Sequence, residues 1–228
     1  LGLSSSRHGL VEWNLYIEAY GRVIQTLPFA PLAKDVVTLF AKSGTAYTPT
    51  LLVAYGGLSG ETWFWQRYET WKDERLLRFV PQGNVDPRGR MRTVAADDMF
   101  HHVAVSASAR DIMRAGGRVC LGAHGQLQGL GPHWEMWAFV QGGMTPHEAL
   151  RASTLHPAEA IGLDGDVGSI APGKLADFVI LDRNPLEKIE NSDSVRLVVK
   201  GGRAYTLDEL ARRGRFSSGS VAAEPFDM

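Results

Sequence analysis

The run Arg118-Val-Cys-Leu-Gly-Ala123 is short and apolar, and it leads directly into the glycine-rich stretch His124-Gly-Gln-Leu-Gln-Gly-Leu-Gly131. A short apolar run bounded by glycine is typical of a strand that is buried in a parallel sheet. The stretch that follows has the composition of a loop at the end of such a strand. We therefore expect a buried parallel strand with His124 just beyond its carboxyl end.

Helical and strand patterns alternate upstream of this run. Residues 32–42 carry apolar side chains at helical spacing and stop at Ser43-Gly44. Residues 46–54 have the composition of a strand, with Pro49 expected at its start because proline cannot donate to a ladder. Leu51–Ala54 and Val119–Leu121 are therefore predicted to be neighbours in one parallel sheet.

Between these two strands the chain is richer in aromatic and charged residues. Residues 61–78 contain three of the tryptophans and predict an irregular helical insertion that packs on the body of the fold. Residues 81–89 contain two prolines and two glycines and predict a loop.

A capped helix follows downstream of the central strand. Thr145 is placed as its N-cap, Pro146 occupies the first helical position, and Glu148 completes a capping box. Alternating helices and strands, with glycine-rich loops after the strands, indicate an α/β fold with a parallel sheet.

After Asp164 the composition changes to short runs of residues that favour β-strands. Residues 176–181 and 195–199 have strand composition, and the second run turns back through Gly201-Gly202 as a hairpin. These runs are expected in a second sheet, separate from the parallel one. The residues beyond Leu207 form a polar tail.

Composition narrows the range of functions. Lys plus Arg number 24 against 25 Asp plus Glu, so no basic field exists to attract nucleic acid or an anionic lipid surface. No apolar run has the length of a membrane-spanning helix, so the chain is expected to be soluble, in a compartment that the sequence leaves open. The single cysteine, Cys120, excludes an internal disulfide and is expected to be a buried, unreactive thiol.

Several stretches resemble a known family. Residues 168–182, Gly-Ser-Ile-Ala-Pro-Gly-Lys-Leu-Ala-Asp-Phe-Val-Ile-Leu-Asp, resemble the C-terminal signature of the amidohydrolase superfamily, and residues 144–162 resemble the helices that precede it. Residues 47–57 and 122–135 are similar to a narrower group that is related to imidazolonepropionase and often fused to TolB-type propeller repeats.

The resemblance implies an α/β fold that contains the C-terminal part of a (β/α)8 TIM-type barrel and part of a small β-sandwich domain. On this basis the chain divides into a partial barrel, 1–163, a β domain segment, 164–206, and a polar tail, 207–228. The implied activity is hydrolysis of amide or other non-peptide carbon–nitrogen bonds in a small-molecule substrate. A water activated by zinc or another divalent metal in the complete enzyme would carry it out.

The resemblance also suggests site residues. His124 lies where the superfamily generally places its last acidic ligand, so it is a candidate metal ligand and catalytic proton handler. Its alternative is a hydrogen-bonding loop residue. Tyr55, Gln126 and His133 are candidates for substrate contact, although the Tyr55 hydroxyl could equally satisfy a buried neighbour. His133 and Glu135, at the expected start of a helix, also suit capping and packing.

Two departures from the family pattern favour an alternative. No two of the seven histidines are separated by one residue, so the paired His-x-His of the superfamily is absent, and Gln25 stands where the family shows histidine. A complete barrel takes about 200 to 250 residues, and this chain must also supply the small domain. The alternative is a truncated, inactive remnant that serves as a binding or assembly module. Such a chain is expected to pair with a missing N-terminal half or to self-associate.

Two further motifs have structural interpretations. Adjacent side chains on a helix point about 100 degrees apart, so the pair His101-His102 is poorly arranged to grip one ion and is expected on a solvated helix face. Asp177 is expected to form turn and strand-edge hydrogen bonds in the β segment rather than to act in catalysis.

Overall fold

The computed structural model describes residues 16–17, 23–26, 34–53, 58–124 and 127–213, the first two ranges by their backbone alone. The helices are α1 Lys34–Ser43, α2 Gly60–Trp65, α3 Glu74–Leu77, α4 Gln82–Gly89, α5 His102–Arg114, α6 Leu130–Gln141, α7 Pro146–Ser153, α8 Leu155–Ile161 and α9 Leu207–Arg213. The strands are β1 Tyr16–Ile17, β2 Val23–Thr26, β3 Ala46–Pro49, β4 Arg118–Val119, β5 Phe178–Leu181, β6 Val195–Lys200 and β7 Arg203–Thr206. Short 3-10 turns cover Leu51–Val53, Thr70–Lys72, Asp97–Met99 and Ile189–Asp193.

A four-stranded sheet with the order β1-β2-β3-β4 forms the centre of the fold. β1 is antiparallel to β2, whereas β2, β3 and β4 are mutually parallel. Helix α1 connects β2 to β3, as expected for a parallel crossover. The predicted α/β fold with a parallel sheet is confirmed.

The strand β3 is shorter than the sequence indicates. It ends at Pro49, and Leu51–Val53 form a 3-10 turn, so the prediction of a strand at Leu51–Ala54 is wrong for the residues described. The backbone N–H groups of Leu51 and Leu52 donate to the side chain of Glu135 instead of to a neighbouring strand. Pro49 therefore closes the strand rather than opening it, where a missing donor interrupts no further ladder.

The insertion between β3 and β4 is helical and aromatic, as predicted, and its two ends meet where the N–H of Leu58 donates to the carbonyl of Met99 at 3.2 Å. The predicted loop at 81–89 is wrong, because Gln82–Gly89 is a helix that contains Pro87. Val85 is fully buried in the insertion, and Asp86 pairs with Arg90 one turn away at 3.2 Å. Burial and local pairing outweigh the prolines and glycines here.

Helices α6 and α7 confirm two sequence signals. Thr145 accepts from the N–H of Glu148, whose carboxylate accepts from the N–H of Thr145, which completes the capping box of α7. The predicted helix around residues 133–140 is α6, which begins earlier, at Leu130, and is buried along most of its length. None of the helices in the described ranges is long and apolar enough to cross a membrane.

The second sheet contains β5, β6 and β7 in antiparallel order, and its separation from the parallel sheet is confirmed. Gly201 and Gly202 both have positive φ, as the tight turn of the hairpin requires. Asp177 accepts from the N–H of Gly201 at 2.6 Å and from Lys200 at 2.5 Å, which confirms its structural interpretation. The start of the predicted polar tail forms helix α9, and residues 214–228 lie outside the described residues.

The expected solvated face at His101-His102 is wrong for His102, whose side chain is fully buried. The ring lies close to those of Trp63 and Phe64, and its Nε2 is 2.9 Å from Oε1 of Gln141. Spacing alone could not show this, because the insertion that covers the helix comes from another part of the chain. Burial is the main cause that lowers the pKa of His102 below its usual value.

The buried His102 should make stability depend on pH. Because its pKa is lower in the folded protein, the unfolded chain binds the extra proton first as pH falls below about 6.5. This contribution to stability is complete above that pH and is lost below it. We expect the loss of stability between pH 7 and pH 5, measured by urea denaturation, to be smaller in His102→Gln than in the wild type. His147→Gln, at an exposed position of α7, is the control and should keep the wild-type slope. Equal slopes in all three proteins would contradict the assignment.

Candidate functional site

The carboxyl ends of β3 and β4 lie side by side at one edge of the parallel sheet. Beyond β4 the pairing continues for one residue, because Cys120 donates its N–H to the carbonyl of Tyr47 at 2.8 Å. At Gly122 a Cβ would lie 2.7 Å from Cγ2 of Thr48 and 2.8 Å from the carbonyl oxygen of Pro49. Only glycine permits this close approach, which carries the chain past the end of β3 to His124.

His124 is exposed and has a φ of 60°, the only positive φ of a non-glycine residue in the described ranges. Residues with side chains seldom adopt this conformation, although histidine does so more often than most, and such residues cluster at functional sites. The sequence placed His124 correctly beyond the end of a parallel strand. In α/β folds this edge is the usual location of binding and catalytic residues.

Helix α6 supports both strand ends. The position of a Cβ at Gly131 would be 3.7 Å from Cβ of Ala123 and 3.8 Å from Cδ1 of Leu52, so the segment before His124 and the turn after β3 meet on its first turn. One helical turn further on, the fully buried carboxylate of Glu135 accepts from the N–H of Leu51 at 2.8 Å and from that of Leu52 at 3.1 Å. Burial raises the pKa of Glu135 to about 8, and the two backbone hydrogen bonds oppose the rise.

A second buried carboxylate, Glu61, lies in the first turn of α2. Its Oε1 is 3.5 Å from Nη1 of Arg88, and only 7% of the residue is exposed. Burial raises its pKa, whereas the charges of Arg88 and His124 act in the opposite direction. Glu61 and His124 are therefore close enough to interact electrostatically. No pattern in the sequence singles out Glu61, because it lies among aromatic residues of an insertion that was expected mainly to pack.

The other predicted site residues lie elsewhere or cannot be placed. Tyr55 and Gln126 fall outside the described residues. His133 is half-buried, and its Nδ1 is 3.0 Å from the hydroxyl of Ser192, which also accepts from Nε1 of Trp137. Since residues 133 and 135 are two positions apart on one helix, their side chains point to nearly opposite sides. His133 faces the β segment, where it lines a mainly apolar cavity of about 260 Å³, and burial lowers its pKa.

Cys120 lies next to this edge but is only 5% exposed. Burial raises the pKa of its thiol to about 11, so the thiolate is scarce at neutral pH. The expectation of an unreactive buried thiol is confirmed.

A metal is not accommodated by the side chains that can be placed. No three His, Cys, Asp or Glu residues within the described ranges are grouped so that they could hold an ion. A zinc site takes at least three such ligands. The described residues therefore do not fit a resident metal, and the chemistry that we derive uses their side chains alone.

The sequence that contains β4 and His124 is similar to known proteins. The sequence profile described as "Amidohydrolase family" matches residues 101–205, which include β4, His124 and α6. An imidazolonepropionase of Geobacillus sp. (strain WCH70) is 33% identical over 147 residues, which are 57% of this chain and 34% of that protein.

Two solved structures are similar to this chain over part of their length. A Xaa-Pro dipeptidase with bound methionine in its active site is 26% identical, with a TM-score of 0.52 over 77% of this chain and 38% of that one. A molinate hydrolase is 21% identical, with a TM-score of 0.55 over 87% and 40% of the two chains.

The chain thus spans about a third of the imidazolonepropionase and two fifths of each solved structure. The segment that matches the family profile contains β4 and His124 but not β3. Residues 101–205 of this chain are thus similar in sequence to the amidohydrolase family.

Proposed function

We propose that this chain is the C-terminal portion of an amidohydrolase that cleaves amide or other carbon–nitrogen bonds in a small-molecule substrate, with its site at the carboxyl ends of β3 and β4. The observation that carries the proposal is the position of His124, exposed and in a left-handed conformation beyond a parallel strand, within the segment that matches the family. In this proposal residues 1–163 form part of a barrel, residues 164–206 part of a small β domain, and residues 207–228 its C-terminal extension.

His124 is proposed to handle protons. Hydrolysis of an amide requires that a water lose a proton as its oxygen bonds to the carbonyl carbon, and that the leaving nitrogen gain one as its bond to carbon breaks. An exposed imidazole at the site can accept the first proton and return it to the nitrogen.

The remaining site residues keep more limited roles. Tyr55 and Gln126 are proposed substrate contacts, because they follow β3 and β4 in the sequence. For His133 we propose a different role, in fastening α6 to the β segment through Ser192, because its ring is already bonded there. A divalent metal, on which the family generally depends, would have His124 as one candidate ligand and would need further ligands from outside the described residues. The strands that would complete a barrel would also have to come from outside the described residues.

The test is the effect of substituting His124 on hydrolytic activity, measured with the whole protein that the gene encodes. We expect His124→Ala to lower kcat/KM by at least about 100-fold, the usual contribution of a general base or acid. A suitable panel contains an imidazolone, an N-acyl amino acid and a Xaa-Pro dipeptide, the last of which also tests the expected restriction to non-peptide bonds. His147→Ala, at an exposed position far along the chain, is the control and should stay within about twofold of the wild type.

Two outcomes would contradict the proposal. Equal activity of His124→Ala and the wild type would remove His124 from the chemistry. Absence of hydrolysis by the wild type across the panel, with the chain folded, would favour the alternative of a binding or assembly module, for which Gln25 in place of the family's histidine is the supporting observation.

A further inference from the structure

Glu135 is an unusual residue for its surroundings. It is fully buried on a helix whose neighbouring positions Trp134, Met136 and Trp137 are apolar or aromatic and also buried. Burying a carboxylate costs far more than burying an apolar side chain of similar size, unless hydrogen bonds compensate. A methionine would fill the same volume without that cost, so packing alone does not account for the residue.

The hydrogen bonds of Glu135 are specific. Its two oxygens accept from two consecutive backbone amides, those of Leu51 and Leu52, which open the turn after β3. The first N–H groups of a helical turn have no partners within the turn, and a carboxylate satisfies them well. This carboxylate comes from a residue more than 80 positions away in sequence, so it fixes the turn relative to α6 and not only within itself.

The turn is held from its other side as well. A Cβ at Gly60 would lie 2.3 Å from the carbonyl oxygen of Leu51, so the start of α2 lies directly against the turn. Helix α6 also carries the segment before His124, through the contact of Gly131 with Ala123. The carboxyl group of Glu135 is thus a polar link between the turn after β3 and the helix on which the His124 segment rests.

We propose that Glu135 is a positioning residue, which sets the Leu51–Val53 turn relative to His124 and so fixes the geometry of the reaction site. Its effect on catalysis rests on the proposed function, whereas its effect on the turn does not. Glu135 touches neither substrate nor reacting atoms in this role. It acts through the two backbone amides.

The test uses Glu135→Gln and Glu135→Met, with Glu74→Gln, at an exposed position of α3, as the control. Glutamine keeps one acceptor and turns an amide donor towards the other N–H, whereas methionine keeps the length and apolar packing and removes both acceptors. Amide hydrogen exchange should be at least tenfold faster at both Leu51 and Leu52 in Glu135→Met, and at one of the two in Glu135→Gln. The amides of α7, remote from the turn, should exchange as in the wild type, and Glu74→Gln should change nothing.

Activity supplies the second measurement. In the protein as its gene encodes it, we expect Glu135→Met to lower kcat at least tenfold with KM within about threefold, because substrate still binds while the reacting groups are misaligned. Faster exchange throughout the chain would show a merely structural residue and overturn the proposal, as would unchanged exchange at both amides. Local release of the turn with unchanged kcat would equally overturn the positioning role. If the wild type hydrolyses nothing, the proposed function fails, and the exchange data still decide whether Glu135 fixes the turn.

Discussion

Replacement of Trp134 by alanine should lower the free energy of unfolding by about 4 kcal/mol, within the range for deletion of a buried aromatic side chain. Trp134 is fully buried, stacks on Phe64 with ring centroids 5.1 Å apart, and meets the ring of Trp65 edge-on at 5.3 Å. It joins α6 to the insertion, so its removal leaves a cavity between two parts of the fold. Urea denaturation followed by circular dichroism measures the loss.

Trp71→Ala is the matched control. Trp71 is only partly buried, and the cations of Lys72 and Arg90 lie over its ring at 4.6 and 5.1 Å. Cation–π contacts at such positions contribute about 0.5 to 1 kcal/mol, so the loss of stability should be much smaller than at Trp134. Similar losses in the two variants would show that the aromatic cluster around α6 does not hold the insertion.

Gly60→Ala should lower the free energy of unfolding by about 3 kcal/mol, at the upper end of the range for an overpacked site. The added Cβ would meet backbone, the carbonyl oxygen of Leu51, at 2.3 Å and Cβ of His102 at 2.9 Å. Neither can move away without shifting α2 or the turn after β3.

The same substitution at Gly83 should change the free energy of unfolding in the opposite direction. Gly83 also lies in the first turn of a helix, α4, but it is exposed and a Cβ there meets nothing within 4 Å. Alanine should stabilise the protein here by about 0.5 to 1 kcal/mol, because it restricts the unfolded chain. Calorimetric melting should therefore move in opposite directions for the two variants, and a shift in the same direction would contradict the close approach at Gly60.

Local signals in the sequence predicted much of this fold. The capping box at Thr145, the glycine turn at Gly201-Gly202 and the apolar run before His124 each depend on a few consecutive residues, and each is found where it was expected. The position of His124 at a sheet edge followed in the same way, because a glycine-rich loop after a buried strand can be recognised without knowledge of the rest of the chain.

The errors concern contacts between distant segments. Glu135 was expected near the start of a helix, where its charge would suit the helix dipole. Helix α6 begins earlier, at Leu130, and the side chain of Glu135 accepts a hydrogen bond from the backbone of Leu51 instead. His102 was expected in solvent because the insertion that covers it could not be positioned from the sequence. Spacing shows which residues share a face, but it does not show which part of the chain covers that face.

The closed ends of the insertion also affect how the sheet can assemble. β3 pairs with β4 although the whole stretch from 50 to 117 lies between them. Closing so long a loop in an unfolded chain costs entropy before any pairing compensates for it, and topologies of this kind fold slowly. The hydrogen bond between Leu58 and Met99 brings together two points on either side of most of the insertion. An insertion that folded before the sheet would therefore shorten the loop that the pairing of β3 with β4 has to close.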